Sequence, residues 1–126
     1  MTPRRLAQTM GAGRAALGLA IVVAPREVTG GWLGKENVES PLVAGLAMML
    51  GGRDLALGLA QLQAADDPTG GSRLFAACAL VDSIDTVATL LARRSMPREG
   101  VIAATVVAAA SAAGCLYTSR VLRSAR

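Results

Sequence analysis

No histidine occurs among the 126 residues of this chain. That absence removes the commonest metal ligand and the usual general base, so neither a metal nor a cofactor is expected. Aromatic residues amount to 2%, namely Trp32, Phe75 and Tyr117. A soluble domain of this length normally leans on Phe, Tyr and Trp for buried area, and here that source is missing. Only two cysteines are present, Cys78 and Cys115. Both lie in apolar runs without metal or redox spacing and read as small apolar filler. Charged residues make up 17%, below the roughly 25% of ordinary soluble domains. The basic residues gather at the two ends and in one short turn, and form no stripe with interleaved aromatics. That argues against a nucleic-acid partner. The net charge of +4 and the pI near 10 fit contact with lipid headgroups better.

What the chain has instead is apolar mass built from Ala, Leu, Val and Gly. Hydrophobic residues reach 52%, and the mean hydropathy is +0.45. This is the composition of helices packed closely in a bilayer. Four apolar runs are expected to span it, at residues 6–24, 41–62, 73–92 and 100–119. Each gives roughly 30 Å of helix at about 1.5 Å per residue. The fourth carries no charge. Arg4-Arg5 ahead of the first run also suits the start of a signal sequence, but Arg14 interrupts that run and no Ala-x-Ala site follows. Residues 26–40 read as a polar connection in which Trp32 is an interface anchor. Residues 63–72 read as a turn rich in helix breakers, and residues 93–100 as a basic turn. A soluble four-helix protein is the bland alternative, but the polar positions in each run are too few for a water-facing stripe. The expectation is therefore one all-α domain, an antiparallel four-helix transmembrane bundle. Gly11 and Gly18 share a face of the first run and Gly51 and Gly58 a face of the second, which favours close helix approach.

Charge inside these runs is the informative feature. Arg53 and Asp54 sit side by side in the middle of the second, and such a pair is costly in hydrocarbon unless the fold satisfies it. Depth is counted from the face carrying both termini. Arg14 then lies roughly 12 Å in, Arg53, Asp54 and Asp82 roughly 14 Å, and Asp85 roughly 18 Å. Two arginines and three aspartates from three helices thus meet near one level. Arg53 is expected against Asp82 or Asp85, and Asp54 near Arg14. The surplus acid should hold a proton or bind a cation. Asp82 and Asp85, three apart, share a face with Cys78, Thr86 and Thr89. A weak internal repeat pairs Gly13-Arg14 with Gly52-Arg53 and Thr29-Gly30-Gly31 with Thr69-Gly70-Gly71, in the manner of an inverted-topology duplication.

Three functional readings follow. In the first, Asp82, Asp85, Arg53 and Asp54 are the catalytic set of a cofactor-independent acid/base enzyme. It opens an epoxide, cyclises or isomerises a lipophilic molecule bound by Arg14, Cys78, Thr86, Thr89 and Met49. An Asp–Arg–Asp set resembles that of limonene-epoxide-hydrolase-type enzymes in residue types alone. In the second, the chain is a proton-coupled carrier. It has the size of the small multidrug transporters, but has Arg14 where those place a glutamate and lacks their aromatics. In the third, it is an accessory subunit docking through Ala104, Ala108, Ser111 and Cys115 of the fourth run. Buried Arg–Asp networks also serve purely to fix helix register. The expected partners are the lipid bilayer, a lipophilic small molecule and a second copy of the chain.

The chain also resembles a family of small four-span bacterial membrane proteins of unknown function found in high-GC actinobacteria. The resemblance is carried by Gly13-Arg14 with Leu17-Gly18-Leu19, by Gly51-Gly52-Arg53-Asp54-Leu55-Ala56-Leu57-Gly58, and by Asp82-Ser83-Ile84-Asp85. It covers about residues 10–115. It implies a four-span fold in the bacterial plasma membrane and assigns no activity.

Overall fold

All five prolines stand where a helix begins. Pro3, Pro25, Pro41 and Pro68 open α1 (Pro3–Val23), α2 (Pro25–Leu33), α4 (Pro41–Gln63) and α5 (Pro68–Leu91), and Pro97 precedes α6 (Arg98–Ser124). A first-turn proline lacks only an N–H that the helix could not have used, and its ring fixes φ in advance. Side-chain caps reinforce two of these starts. The Thr2 hydroxyl accepts from the Arg5 amide at 3.3 Å, and Asp67 Oδ1 from the Thr69 amide at 3.0 Å. The computed structural model describes residues 1–125. Arg126, counted above with the basic C-terminal residues, lies outside them.

Two loop expectations are corrected. Residues 26–40 are mostly helical, forming α2 and a single turn, α3 (Lys35–Val38), joined at Gly34 with φ of +97°. The stretch at 63–72 is a turn only as far as Asp67. Thr69-Gly70-Gly71-Ser72 belongs to α5, because Pro68 at a first position starts a helix as readily as it ends one.

Helices α1, α4, α5 and α6 are each long and apolar enough to cross a membrane. Their surface is inverted relative to a soluble bundle. Leu42, Met49, Leu80, Val87 and Val106 point outward, while Gln61, Ser72, Asp82, Thr118 and Ser119 are buried. The protein is a polytopic, all-α membrane protein with no strand among the described residues. One face carries both termini. There Arg4 Nε meets Asp66 Oδ1 at 2.5 Å, with both side chains about 60% exposed. Such a pair contributes little, so Asp66→Asn should change stability by no more than about 1 kcal/mol, read by thermal unfolding in detergent. The opposite face carries α2 and α3, tied to the approach to α6 by the Asn37 amide, which donates to the Ser95 carbonyl at 2.7 Å.

The four long helices form two pairs. Helix α1 packs antiparallel along α4, and α5 along α6, with far fewer contacts between pairs. The first pair closes through glycine. A Cβ on Gly18 would strike the Leu55 backbone, and one on Gly58 the Ala15 backbone. The second pair encloses the apolar core, Phe75, Cys78, Ala79, Cys115 and Leu122, onto which Ala7 and Ala65 close. That core occupies the half of the bundle toward the terminal face. The other half, between the pairs, is hollow.

Candidate functional site

The hollow is a cavity of about 740 Å³, within the range of small-molecule sites. Its walls include Leu17 and Ile21 of α1, Leu50 of α4, Ala88 of α5, and Ala104 and Val107 of α6. Trp32, Leu33 and Met96 line it toward the α2 face. Its floor is polar, made by Arg14, Asp54, Asp82, Asp85 and Ser111, with Thr89 one turn above on α5. The hydrogen bonds between α1 and α6 lie at and below this floor, from Thr118–Met10 to Arg14–Ser111. Above it, Leu17 and Val107 both line the cavity and are 40% and 59% exposed. The cavity therefore opens sideways between α1 and α6, toward lipid.

The charged floor residues join the two pairs. Arg14 forms a buried ion pair with Asp82. It also lies 3.5 Å from Asp54 Oδ1 and donates to Ser111 Oγ at 3.1 Å. Ser111 in turn donates to Asp82 Oδ2 at 2.7 Å. Arg53 grips Asp85 with both ends of its fork, at 2.9 and 2.6 Å, and touches Asp54 Oδ1 at 3.1 Å. This is the bidentate geometry that only arginine supplies. Arginines of the α1–α4 pair thus meet aspartates of α5, and Asp54 bridges the two arginines. The members of the weak repeat, Arg14 and Arg53, each take one acid of α5. Adjacent on α4, Arg53 and Asp54 diverge by about 100°, so one faces α5 while the other turns toward α1.

Both pairing expectations are met in part. Arg53 takes Asp85, one of its two expected partners. Asp54 does lie beside Arg14, but the closer partner of Arg14 is Asp82, a pairing the depth argument did not single out. The residues expected to hold a ligand separate as well. Thr89 lines the cavity, and its hydroxyl donates to the Asp85 carbonyl at 2.8 Å. Thr86 stands off the cavity wall, bonded to the Asp82 carbonyl at 2.9 Å. Cys78 is fully buried in the core beneath the floor, and Met49 is 70% exposed on the outer surface of α4. Arg53 does not line the cavity; it holds Asp85 and Asp54, which do.

Helix α6 supplies the residues that sequence reasoning assigned elsewhere. Ala104, Ala108, Ser111 and Cys115, expected on an outward docking face, turn inward: the first three line the cavity and Cys115 is fully buried. The available signal was depth. Ser111 lies eight residues in from Ser119, roughly 12 Å, level with Arg14. Gln61 went unnoticed. It is fully buried, donates to Cys115 Sγ at 3.7 Å, and leaves Oε1 without a partner among the described residues.

The cluster contains one more acid than base. Two carboxylate oxygens, Asp54 Oδ2 and Asp82 Oδ1, accept no hydrogen bond within the described residues, and neither is sealed off. No group of three or more Cys, Asp or Glu side chains among the described residues is placed to hold a metal ion. Comparison with protein-family models, with curated proteins and with solved structures finds no match to this chain.

Proposed function

We propose that this protein binds a lipophilic small molecule taken sideways from the bilayer and performs acid/base chemistry on its polar end. The observation that carries this reading is the cavity itself, with apolar walls, a mouth between α1 and α6, and a floor made of the Arg–Asp cluster. A ligand seated there meets Asp54 and Asp82 through their unpaired oxygens. Burial beside fixed guanidinium dipoles makes each electrostatic contact stronger than it is in water. One carboxyl acts as proton donor and its neighbour, held by Arg14 or Arg53, as acceptor. Arg53 is a positioning residue, since it reaches the floor only through Asp85 and Asp54. Epoxide opening, cyclisation and isomerisation are the reaction classes that a carboxyl–guanidinium set serves without a cofactor. In this reading the protein resides in a bacterial plasma membrane, among the small four-span proteins it resembles.

A second reading, a proton-coupled carrier, is favoured by one feature: between α5 and α6 the Phe75 core closes the terminal side of the cluster, while the cavity reaches Trp32, Leu33 and Met96 toward the α2 face. The two readings separate in purified protein reconstituted in nanodiscs and liposomes. The enzyme reading expects turnover of a lipophilic epoxide or polyene, abolished by Asp82→Asn in protein that is less stable but still folded at the assay temperature. Proton flux that depends on Asp85, with no product formed, would replace it with the carrier.

A further inference from the structure

The floor of the cavity has a surplus of carboxylate, and this determines what it takes. Arg14 uses Nη1 on Asp54 and Nη2 on Asp82 and Ser111, while Arg53 uses all three of its nitrogens on Asp54 and Asp85. Against them stand three carboxylates, with Asp54 Oδ2 and Asp82 Oδ1 unclaimed. Asp82 is only 4% exposed and lines the cavity, so its free oxygen has no partner except what enters there. An anionic headgroup would meet two bare carboxylate oxygens in a cluster that holds three carboxylates and two guanidinium groups, with only Arg14 Nε and one N–H on each Nη1 left over. With all three carboxyls ionised, a cation would bring the cluster to neutrality in a medium where net charge is costly, the role that a proton on one carboxyl fills in its absence.

Resting on the reading that the cavity holds a lipophile, we propose that the ligand's polar end is a protonated primary or secondary amine. It donates hydrogen bonds to Asp54 Oδ2 and Asp82 Oδ1, one from each helix pair. Its hydrocarbon body lies along Leu17, Ile21 and Leu50 toward Trp32. A quaternary ammonium is the poorer fit, because it donates nothing and, among the described residues, Trp32 is the only aromatic lining the cavity, too few for a cage. The site thus selects by hydrogen-bond donation and charge together, and an amine seated between Asp54 and Asp82 also ties the α1–α4 pair to the α5–α6 pair.

Trp32 is the sole tryptophan and lines the cavity, so its fluorescence reports occupancy. The probes are dodecylamine, dodecanol and dodecanoate, titrated at neutral pH into protein in phosphatidylcholine nanodiscs, with calorimetry alongside and empty nanodiscs as blank. Dodecylamine should bind saturably and at least tenfold tighter than either other probe. Asp54→Asn, which leaves the Arg14–Asp82 and Arg53–Asp85 pairs in place, should lose at least tenfold of that affinity. Ala108→Phe, which obstructs the cavity beside the cluster, should weaken binding of all three. Dodecanol or dodecanoate binding as tightly as the amine, or an Asp54→Asn protein that binds the amine unchanged, overturns the amine assignment and leaves the lipophile-binding reading standing. If none of the three probes gives saturable binding, both fall together.

Discussion

Arg14→Ala should lower stability by about 3–5 kcal/mol, the largest loss expected from any single substitution in the bundle. Arg14 links α1 to α4, α5 and α6 at once, through Asp54, Asp82 and Ser111. Its removal leaves Asp82 with Ser111 at 2.7 Å and the weak Cys115 thiol at 3.7 Å. A buried carboxylate without its counter-charge is far more damaging than the pair is helpful. For the same reason Arg14→Met with Asp82→Leu should recover most of the loss, because two apolar side chains of similar volume leave no stranded charge. Thermal or denaturant unfolding in mild detergent reads both variants. A loss below about 1 kcal/mol for Arg14→Ala would mean that water reaches the cluster freely, and the cavity floor would not be a low-dielectric site. The double variant is also informative about function. If it is stable yet no longer binds ligand, the cluster is more than a helix-register device.

The second large effect is steric. Gly58→Val should cost about 3 kcal/mol or prevent the α1–α4 pair from closing, since overpacking a close contact commonly costs 1–3 kcal/mol and here the obstacle is backbone. A Cβ at Gly58 would lie 2.7 Å from the Gly11 carbonyl oxygen and against the backbone of Ala15. Neither can rotate away as a side chain does. Gly18 faces the same obstacle at Gly51 and Leu55, so the four glycines act as one zip. Gly52 is the internal control. Its Cβ would meet nothing within 4 Å, and Gly52→Ala should be neutral or stabilising by up to about 1 kcal/mol through helix propensity alone. Unfolding measurements that rank the two substitutions alike would remove the glycine contact as the basis of the pair.

How far these features could be read in advance differs by kind. The four spans were legible because hydrocarbon imposes a length and a composition on any segment that crosses it, and the chain meets both four times. The α1–α4 glycine face was legible because residues seven apart stay on one side of a helix. Depth was legible too, since rise per residue converts sequence distance directly into position along the bilayer normal. What failed was local. The breakers at Thr69-Gly70-Gly71 suggested a turn, yet Pro68 starts the helix that contains them. The polar residues at 26–40 suggested a loop, yet most of them form α2 and α3.

Sequence alone therefore determined that charges from three helices sit at one level in an apolar bundle. Only tertiary packing decided which charge meets which. Pairing depends on how each helix is rotated about its axis and which neighbours it takes, and neither quantity is encoded in spacing along a single segment. The gathering of α1 with α4 and of α5 with α6 turned Ser111 and Ala108 inward, put Arg53 on Asp85, and opened the space between the pairs. A cavity exists only between elements, so no stretch of the chain, read by itself, contains it.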